Sequence, residues 1–178
     1  MNLDLQSQPT PRLVIDSWPY YAIRTKSNRE FVTHASFIGK GYDSFLPTYL
    51  GTRARNGRAT PLEVPLFSGY VFCRFDANRR QPILMTPGVF QIVSINGYPT
   101  PVDEQEIAAI QAVTRAGIPA QPWPFLKEGR RIRITDGPLR GLEGPVEKCK
   151  GAFRLIVGIS LLQRALSVEV ERQWIQPL

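Results

Sequence analysis

The residues that decide the fold are 66–75, which read LFSGYVFCRF. Aromatic and β-branched side chains dominate this stretch, and they favour strands because they pack well on a pleated surface. Alternation, with a bulge at Gly69, predicts two opposite faces. One face holds Phe67, Cys73 and Phe75, and the other holds Tyr70, Phe72 and Arg74. This is the strongest strand signal in the first half of the chain.

The segments around this strand alternate between strand and helix patterns. A strand ending near Thr25 precedes a helix that we expect to be capped by Ser27 or Asn28 and stopped at Gly39. Helical spacing predicts the buried stripe of that helix, which is Phe31, Ala35 and Ile38. Further strands are expected at 42–49 and 89–95, and further helices at 76–85 and 103–115.

Residues 51–61 contain no core-forming side chain and include Asn56-Gly57, which predicts a basic hairpin loop. Its positive charges, Arg53, Arg55 and Arg58, give at most a diffuse attraction for a polyanion. Together these segments predict an α+β fold: a sandwich of a mostly antiparallel sheet with helices packed on it.

The second half of the chain has a different pattern. Residues 117–126 are rich in proline and read as an extended linker. Short strand patterns separated by glycine-containing turns follow, and they predict a small SH3-like β-barrel. The predicted organisation is a disordered tail at 1–17, an α+β domain at 18–116, the linker at 117–126 and the barrel at 127–178.

Composition narrows the classes of function. The 178 residues carry a formal net charge of +7, which favours a polyanionic partner or a protein that carries nucleic acid. The two cysteines, Cys73 and Cys149, have no CxxC partner, so we expect a reducing cytoplasm, no disulfide and no metal. No run of about 18 apolar residues exists, so we expect no membrane span.

Enzyme signatures are weak in this sequence. His34 is the single histidine, and it lies on a predicted helix with no acid or nucleophile patterned around it. Gly39-Lys40-Gly41 lacks the spacing of a phosphate-binding loop. We therefore predict a binding protein without enzymatic activity and without a cofactor.

Two segments resemble a known family. Residues 128–146, EGRRIRITDGPLRGLEGPV, resemble the KOW motif through Asp136, Gly137, Pro138 and Gly141. Residues 66–75 with the later TPGV at 86–89, and YYAIR at 20–24, resemble the N-terminal (NGN) domain of the NusG family of transcription factors. The likeness covers about residues 18–178 in the family's order.

The sequence departs from the family pattern in two places. Ser68 stands where the family usually has proline, and Tyr20-Tyr21 stands where it usually has Trp-Tyr. The pattern LFSGYVF at 66–72 is more similar to specialised RfaH-like or UpxY-like antiterminators than to the general factor. One such relative refolds its KOW domain into a helical hairpin, but the β-rich segments 154–159 and 165–170 lead us to expect a stable barrel here.

The resemblance implies that the protein is a transcription elongation or antitermination factor and binds the clamp coiled coil of RNA polymerase. The implied polymerase contacts are Tyr21, Phe67, Tyr70 and Phe72, with Arg79 and Arg80 on the other side of the polymerase cleft. For Phe67 and Phe72, a purely structural place in the core is an equal alternative. Aromatic side chains suit an interface because they offer a large apolar area at low entropic cost.

Two further surfaces follow from the same resemblance. Lys26, Asn28 and Arg29 are the implied contacts with non-template DNA, and an ordinary capped, solvated helix end is an equal alternative. A ribosomal protein or termination factor is the implied partner of the barrel, through Phe153, Arg154, Leu161, Leu162 and Arg164. For Leu161 and Leu162, a place in the core is equally possible. We expect a cytoplasmic monomer. The competing interpretation is a KOW-type RNA-binding or ribosome-associated protein.

Overall fold

The computed structural model of the protein describes residues 18–55, 58–125, 129–149 and 151–178. The predicted tail at 1–17 and the predicted Asn56-Gly57 turn lie outside these residues. The strands are β1 (Tyr20–Thr25), β2 (Ser44–Phe45), β3 (Thr48–Arg55), β4 (Arg58–Pro65), β5 (Tyr70–Arg74), β6 (Val89–Ile92), β7 (Ser94–Ile95), β8 (Tyr98–Pro99), β9 (Ala120–Pro124), β10 (Arg130–Ile134), β11 (Glu143–Cys149), β12 (Ala152–Ile159), β13 (Arg164–Val170) and β14 (Ile175–Pro177). The α-helices are α1 (Glu30–Gly39), α2 (Gln81–Leu84) and α3 (Glu104–Ala116).

The N-terminal half is built on an antiparallel sheet with the strand order β2-β5-β1-β6. Helices α1 and α2 cover one face of this sheet, where Phe37 and Ile83 are fully buried. Helix α3 covers the other face with buried side chains that repeat at helical spacing, Ile107, Ile110 and Val113. The predicted α+β sandwich is confirmed.

Helix α1 buries a different face from the predicted one. Phe31 and Ile38 are 43% and 52% exposed, whereas Thr33 and Phe37 are completely buried. Ala35, the third member of the predicted stripe, is also exposed. The prediction is wrong because apolar residues lie on both sides of this helix, and the fit of Phe37 against the sheet decides its rotation.

The start of α1 also differs from the prediction. Neither Ser27 nor Asn28 caps the helix, because Arg29 occupies the cap position and makes no side-chain cap bond. Asn28 has a φ of 57°, a left-handed conformation that asparagine tolerates better than most residues.

Residues predicted as a hairpin loop are mostly strand. β3 and β4 pair over their whole lengths, from Thr48 opposite Pro65 to Arg55 opposite Arg58. The long predicted strand at 66–75 is shorter than expected, since β5 begins only at Tyr70. Strand propensity alone did not predict the turn that precedes β5, because that turn depends on the backbone conformation of Gly69.

The C-terminal half is an antiparallel sheet with the order β14-β10-β11-β12-β13-β9. Its core includes apolar side chains exposed by no more than 1%, namely Ile132, Ile134, Leu139, Leu155, Ile159, Leu166 and Val168. Part of the segment predicted as a linker forms β9, which pairs with β13 from Ala120 opposite Val168 to Pro124 opposite Arg164. Hydrogen bonds therefore attach this segment to the barrel strands.

None of the helices in the described ranges combines the length and the apolar composition of a membrane-spanning segment. The thiols of Cys73 and Cys149 are both free. Burial raises the pKa of the Cys73 thiol, so this thiol stays protonated and unreactive at neutral pH. In the part of the chain that the structure describes, no group of three or more metal-ligating side chains comes together.

Candidate functional site

The candidate site centres on the residues that lead into β5, Phe67–Tyr70, which we call the Tyr70 turn. Gly69 has a φ of 84°, which glycine adopts without the steric cost that other residues bear. The backbone N–H of Tyr70 donates to the carbonyl of Phe67 at 3.0 Å and closes the turn. Ser68 is exposed and Tyr70 is half-buried, so the turn presents both residues at the edge of the α3-covered face.

Two hydrogen bonds hold the Tyr70 turn in place. The N–H of Gly69 donates to Glu30 Oε1 at 2.8 Å, and its carbonyl accepts the N–H of Thr25 at 2.8 Å. Glu30 is only 6% exposed, so this carboxylate is removed from water. A buried charge-assisted hydrogen bond is stronger than a neutral one, and it ties the turn to the first residue of α1.

Glu30→Ala is expected to lower the free energy of unfolding by about 1–3 kcal/mol, because it leaves the Gly69 N–H without a partner. Glu30→Gln keeps an acceptor oxygen and is expected to cost less. Urea unfolding of both variants, followed by circular dichroism, provides the measurement. Equal stabilities for wild type and Glu30→Ala would show that the carboxylate does not hold the turn.

The sheet divides the predicted aromatic polymerase contacts between its two faces. Phe67 and Phe72 lie with Tyr70 on the α3-covered face and are 1% and 0% exposed. Tyr21 lies on the opposite face, where its ring is 4.6 Å from that of Phe75. Tyr21 therefore shares no surface with Tyr70, and the expectation that it does is wrong because side chains alternate along β1.

Phe67 also differs from the predicted alternation. Its ring meets that of Phe72 edge-to-face at 5.6 Å, on the side opposite Cys73. The turn at Gly69 resets the alternation, so a count by twos from Phe67 places its side chain on the wrong face.

Tyr20, which sequence reasoning did not select, lies on the same face as Tyr70 and joins a polar network. Its hydroxyl donates to Asp43 Oδ2 at 2.8 Å, and burial raises the pKa of Tyr20 to about 12. The guanidinium of Arg74 is 4.1 Å from the Tyr20 ring centroid and forms two hydrogen bonds to Glu104, at 2.8 and 3.0 Å. This network joins the sheet to the first turn of α3.

The predicted nucleic-acid contacts lie beside the Tyr70 turn. Lys26, Asn28 and Arg29 are all exposed. They lie between Thr25 and Glu30, the two residues whose hydrogen bonds hold Gly69. Sequence reasoning missed the neighbouring pair of Arg24 and Phe90, in which the guanidinium lies 5.5 Å from a ring that is 59% exposed. An exposed arginine on an exposed ring can stack with a nucleobase.

The second predicted polymerase contact is separate from the first. Arg79 ends the 3-10 turn Ala77–Arg79, and Arg80 directly precedes helix α2; both side chains are exposed. Ile83 of that helix packs into the cluster on the α1 side of the sheet. The two arginines therefore belong to the side of the domain opposite Tyr70.

The KOW-like residues form a closed turn between β10 and β11. Asp136 Oδ1 accepts the N–H of Gly137 at 2.8 Å, and the N–H of Gly141 donates to the carbonyl of Ile134 at 2.8 Å. A Cβ at Gly137 would lie 2.9 Å from the ring of Trp174, so glycine is required at this position. Pro138 is exposed at the tip of the turn.

The predicted partner residues of the barrel fall in two places. Phe153 lines a groove of about 730 Å³ together with Trp174 and Pro138. Arg154 follows Phe153 on β12; it is half-buried, and its guanidinium lies 4.8 Å from the ring centroid of Trp123. The remaining three residues, Leu161, Leu162 and Arg164, lie at the end of the barrel that faces the N-terminal half.

Comparisons with known proteins agree with this architecture. The family model described as "Transcription termination factor nusG" matches residues 18–111. The chain is similar to "Transcription termination/antitermination protein NusG" of Lactococcus lactis, with 30% identity over 75% of this chain and 74% of the relative. The protein of the same description from Campylobacter jejuni is 27% identical over 85% of this chain and 92% of that protein.

A solved structure extends the similarity to the fold of both halves. "Domain interaction in Thermotoga maritima NusG" superposes with a TM-score of 0.57 at 18% identity. The match covers 92% of this chain and 99% of that one.

Proposed function

This chain belongs to the NusG family of transcription termination and antitermination factors, and on that premise we propose that it binds RNA polymerase through the sheet face that carries Tyr70. The observation that carries the proposal is the Tyr70 turn itself. It presents a half-buried tyrosine from a backbone held at both sides, by Glu30 and by Thr25. A preorganised aromatic anchor loses little entropy on binding, which favours a specific protein interface.

The partner proposed for this face is the clamp coiled coil of RNA polymerase. Arg79 and Arg80, on the other side of the domain, are the proposed contacts across the polymerase cleft. A protein that contacts both sides of the cleft stabilises the closed clamp, and so shifts the polymerase population toward elongation and away from pausing. This mechanism needs no covalent chemistry, and it places the protein in the cytoplasm with the polymerase.

Phe67 and Phe72 support this surface from beneath. Both rings are buried, so their proposed role is to set the position of Tyr70 and the shape of the face. They are exposed to a partner only if the covering elements move. Tyr21 is not part of the proposed surface.

Lys26, Asn28 and Arg29 are proposed to contact the exposed non-template DNA strand. Two of the three carry positive charge, and all lie exposed beside the Tyr70 turn. A DNA strand running past the turn would meet phosphate donors here and the Arg24–Phe90 pair nearby. The LFSGYVF pattern at 66–72 favours a specialised antiterminator over the general elongation factor.

The barrel is proposed to recruit a second protein, either a ribosomal protein or a termination factor. The groove lined by Phe153 and Trp174 offers an apolar surface with charged residues at its edge, including Lys148 and Arg172. An apolar centre with a polar rim is the usual anatomy of a protein interface.

Tyr70→Ala is expected to weaken RNA polymerase binding by about tenfold or more, because a central aromatic anchor is lost. The measurement is the affinity of the full chain for purified core polymerase, with circular dichroism to verify folding. Tyr98→Ala is the matched control, since Tyr98 is 77% exposed on β8. Undiminished binding by Tyr70→Ala would remove Tyr70 from the interface.

A parallel capture experiment separates the two classes of function. We expect the immobilised chain to retain RNA polymerase from purified components. Retention of ribosomes in the absence of polymerase binding would instead support a KOW-type, ribosome-associated protein.

A further inference from the structure

Helix α1 carries an apolar stripe that points away from the domain. The stripe comprises Phe31, Val32, Ala35 and Ile38, all of which are exposed residues, and we call it the outer stripe. Its three larger side chains, those of Phe31, Val32 and Ile38, are 43%, 44% and 52% exposed. Phe31, Ala35 and Ile38 repeat at helical spacing, so they lie along one side of the helix. A sequence pattern typical of a buried helix face is therefore present on the outside of the protein.

Contacts on the inner side of α1 prevent a rotation that would bury the outer stripe. Phe37 and Thr33 are completely buried there. Thr33 Oγ1 donates to the carbonyl of Pro87 at 3.1 Å, and Glu30 accepts the N–H of Gly69 at 2.8 Å. Rotation of the helix would expose the Phe37 ring and break both hydrogen bonds. The outer stripe is thus a second apolar side of a helix that already has its full set of core contacts.

No charged side chain interrupts the outer stripe. A surface helix usually carries charged residues on its solvent side, but the only charged residue within α1 is Glu30, which is buried. Positive charges lie at both ends of the helix, with Lys26 and Arg29 before it and Lys40 after it. Within the described residues, none of these three cations forms an ion pair with a carboxylate. Lys40 Nζ donates instead to the neutral hydroxyl of Thr86 at 2.8 Å.

This arrangement of charge selects among the molecules that could cover the stripe. Two copies of the chain packed antiparallel through α1 would place Arg29 of one beside Lys40 of the other, and like charges there would repel. A nucleic acid would be attracted to the two ends of the helix. It would then meet Val32, Ala35 and Ile38, which offer neither a phosphate donor nor an aromatic ring for a base. A protein surface that is apolar in its centre and acidic at its ends fits all of these features.

We propose that the outer stripe is a docking site for an amphipathic α-helix of another protein. The apolar side of that helix would lie on the outer stripe, with acidic side chains near Lys26 and Arg29 at one end and near Lys40 at the other. Ten residues of α1 span about 15 Å, which is the length of about three turns of the partner helix. Anchors at i, i+4 and i+7 are the usual contacts of such packing, and the small Ala35 at the centre allows close approach. The stripe lies on the side of the domain opposite Tyr70, so the proposal does not depend on the proposed function.

Two synthetic peptides of opposite charge provide the test. Each has about 14 residues with leucine at the a and d positions of its heptads and is held helical by a hydrocarbon staple, and the remaining positions are glutamate in one and lysine in the other. Titrated into the isotopically labelled full chain, the acidic peptide is expected to bind with a dissociation constant of about 10–100 µM and to shift the amide resonances of α1. The basic peptide is expected to bind at least about tenfold more weakly. Absence of binding by the acidic peptide, or resonance shifts away from α1, would overturn the proposal.

A variant of the outer stripe locates the site. Phe31→Ser/Ile38→Ser is expected to weaken binding of the acidic peptide by about tenfold or more, because both lost side chains are apolar anchors. Circular dichroism verifies folding, and Ala35→Glu, which places a negative charge in the centre of the stripe, is the second variant with the same expected loss. Leu50→Ser is the matched control, since Leu50 is an exposed apolar residue on β3. Equal binding by wild type and both stripe variants would refute the site.

Reversal of charge tests the acidic character of the partner. Lys26→Glu/Arg29→Glu is expected to weaken the acidic peptide and to strengthen the basic one, each by about three- to tenfold. Unchanged affinity for both peptides would show that charge does not select the partner.

Two further results would assign the stripe to another occupant and overturn the proposal. The first is dimerisation of the wild-type chain in analytical ultracentrifugation that the Phe31→Ser/Ile38→Ser variant abolishes. The second is affinity for a single-stranded DNA oligonucleotide that the same variant loses, without binding of the acidic peptide by the wild type.

Discussion

Phe72→Ala is expected to lower the free energy of unfolding by about 3–5 kcal/mol. The Phe72 ring is fully buried and meets Phe67 at 5.6 Å and Phe45 at 6.2 Å. Removing it leaves a cavity between the sheet and the elements over it, which the surrounding strands can fill only in part. Chemical denaturation of the full chain, followed by circular dichroism, measures the loss.

Phe90→Ala provides the matched control for this prediction. Its ring is 59% exposed and lies 5.5 Å from the Arg24 guanidinium, so its removal is expected to cost less than about 1 kcal/mol. A Phe72 variant as stable as the Phe90 variant would show that Phe72 is not part of the folded core. The sequence left core and interface equally open for Phe72; its complete burial places it in the core, and this pair of variants tests that assignment.

Gly88→Ala is expected to lower the free energy of unfolding by about 2–5 kcal/mol, the sum of a left-handed backbone and steric overlap. Gly88 has a φ of 89°, and a Cβ there would lie 2.3 Å from Thr33 Oγ1 and 3.0 Å from Arg29 Cβ. Both neighbours belong to the start of α1 or its first turns. The substitution should therefore also displace Arg29, one of the proposed DNA contacts.

Gly97→Ala separates backbone strain from overlap. Gly97 has a φ of 82° but nothing within 4 Å of its added Cβ, so only the strain of about 1–2 kcal/mol is expected. Thermal unfolding of both variants gives the comparison. Equal losses at the two positions would mean that α1 moves freely away from Gly88, against the close contact observed.

Local chemistry was sufficient to predict the KOW-like turn. Gly137 and Gly141 adopt φ values of 75° and 90°, left-handed conformations that glycine adopts without steric cost. The helix at 103–115 was also recognisable, because Asp103 caps it by accepting the N–H groups of Gln105 and Glu106. Such features depend on residues within a few positions of one another.

Other features depended on distant residues and were not predictable. The rotation of α1 follows from how Phe37 fits the sheet, although Phe31 and Ile38 are as apolar by sequence. Glu30 accepts a hydrogen bond from Gly69, which lies 39 positions further along the chain. This contact exists only because the fold brings the two residues together. No local pattern marks a helical glutamate as the acceptor for a particular backbone amide.

The sequence by itself determined the family, the α+β class of the first half and the β-strand pattern of the second, because propensity, turn chemistry and motifs are local. Only the tertiary structure decided which rings share a face and that Arg164 and Ser160 meet the N-terminal half. Those arrangements arise from packing between segments far apart in the chain. Many sequences with the same local preferences allow several such packings, and side-chain shape selects among them.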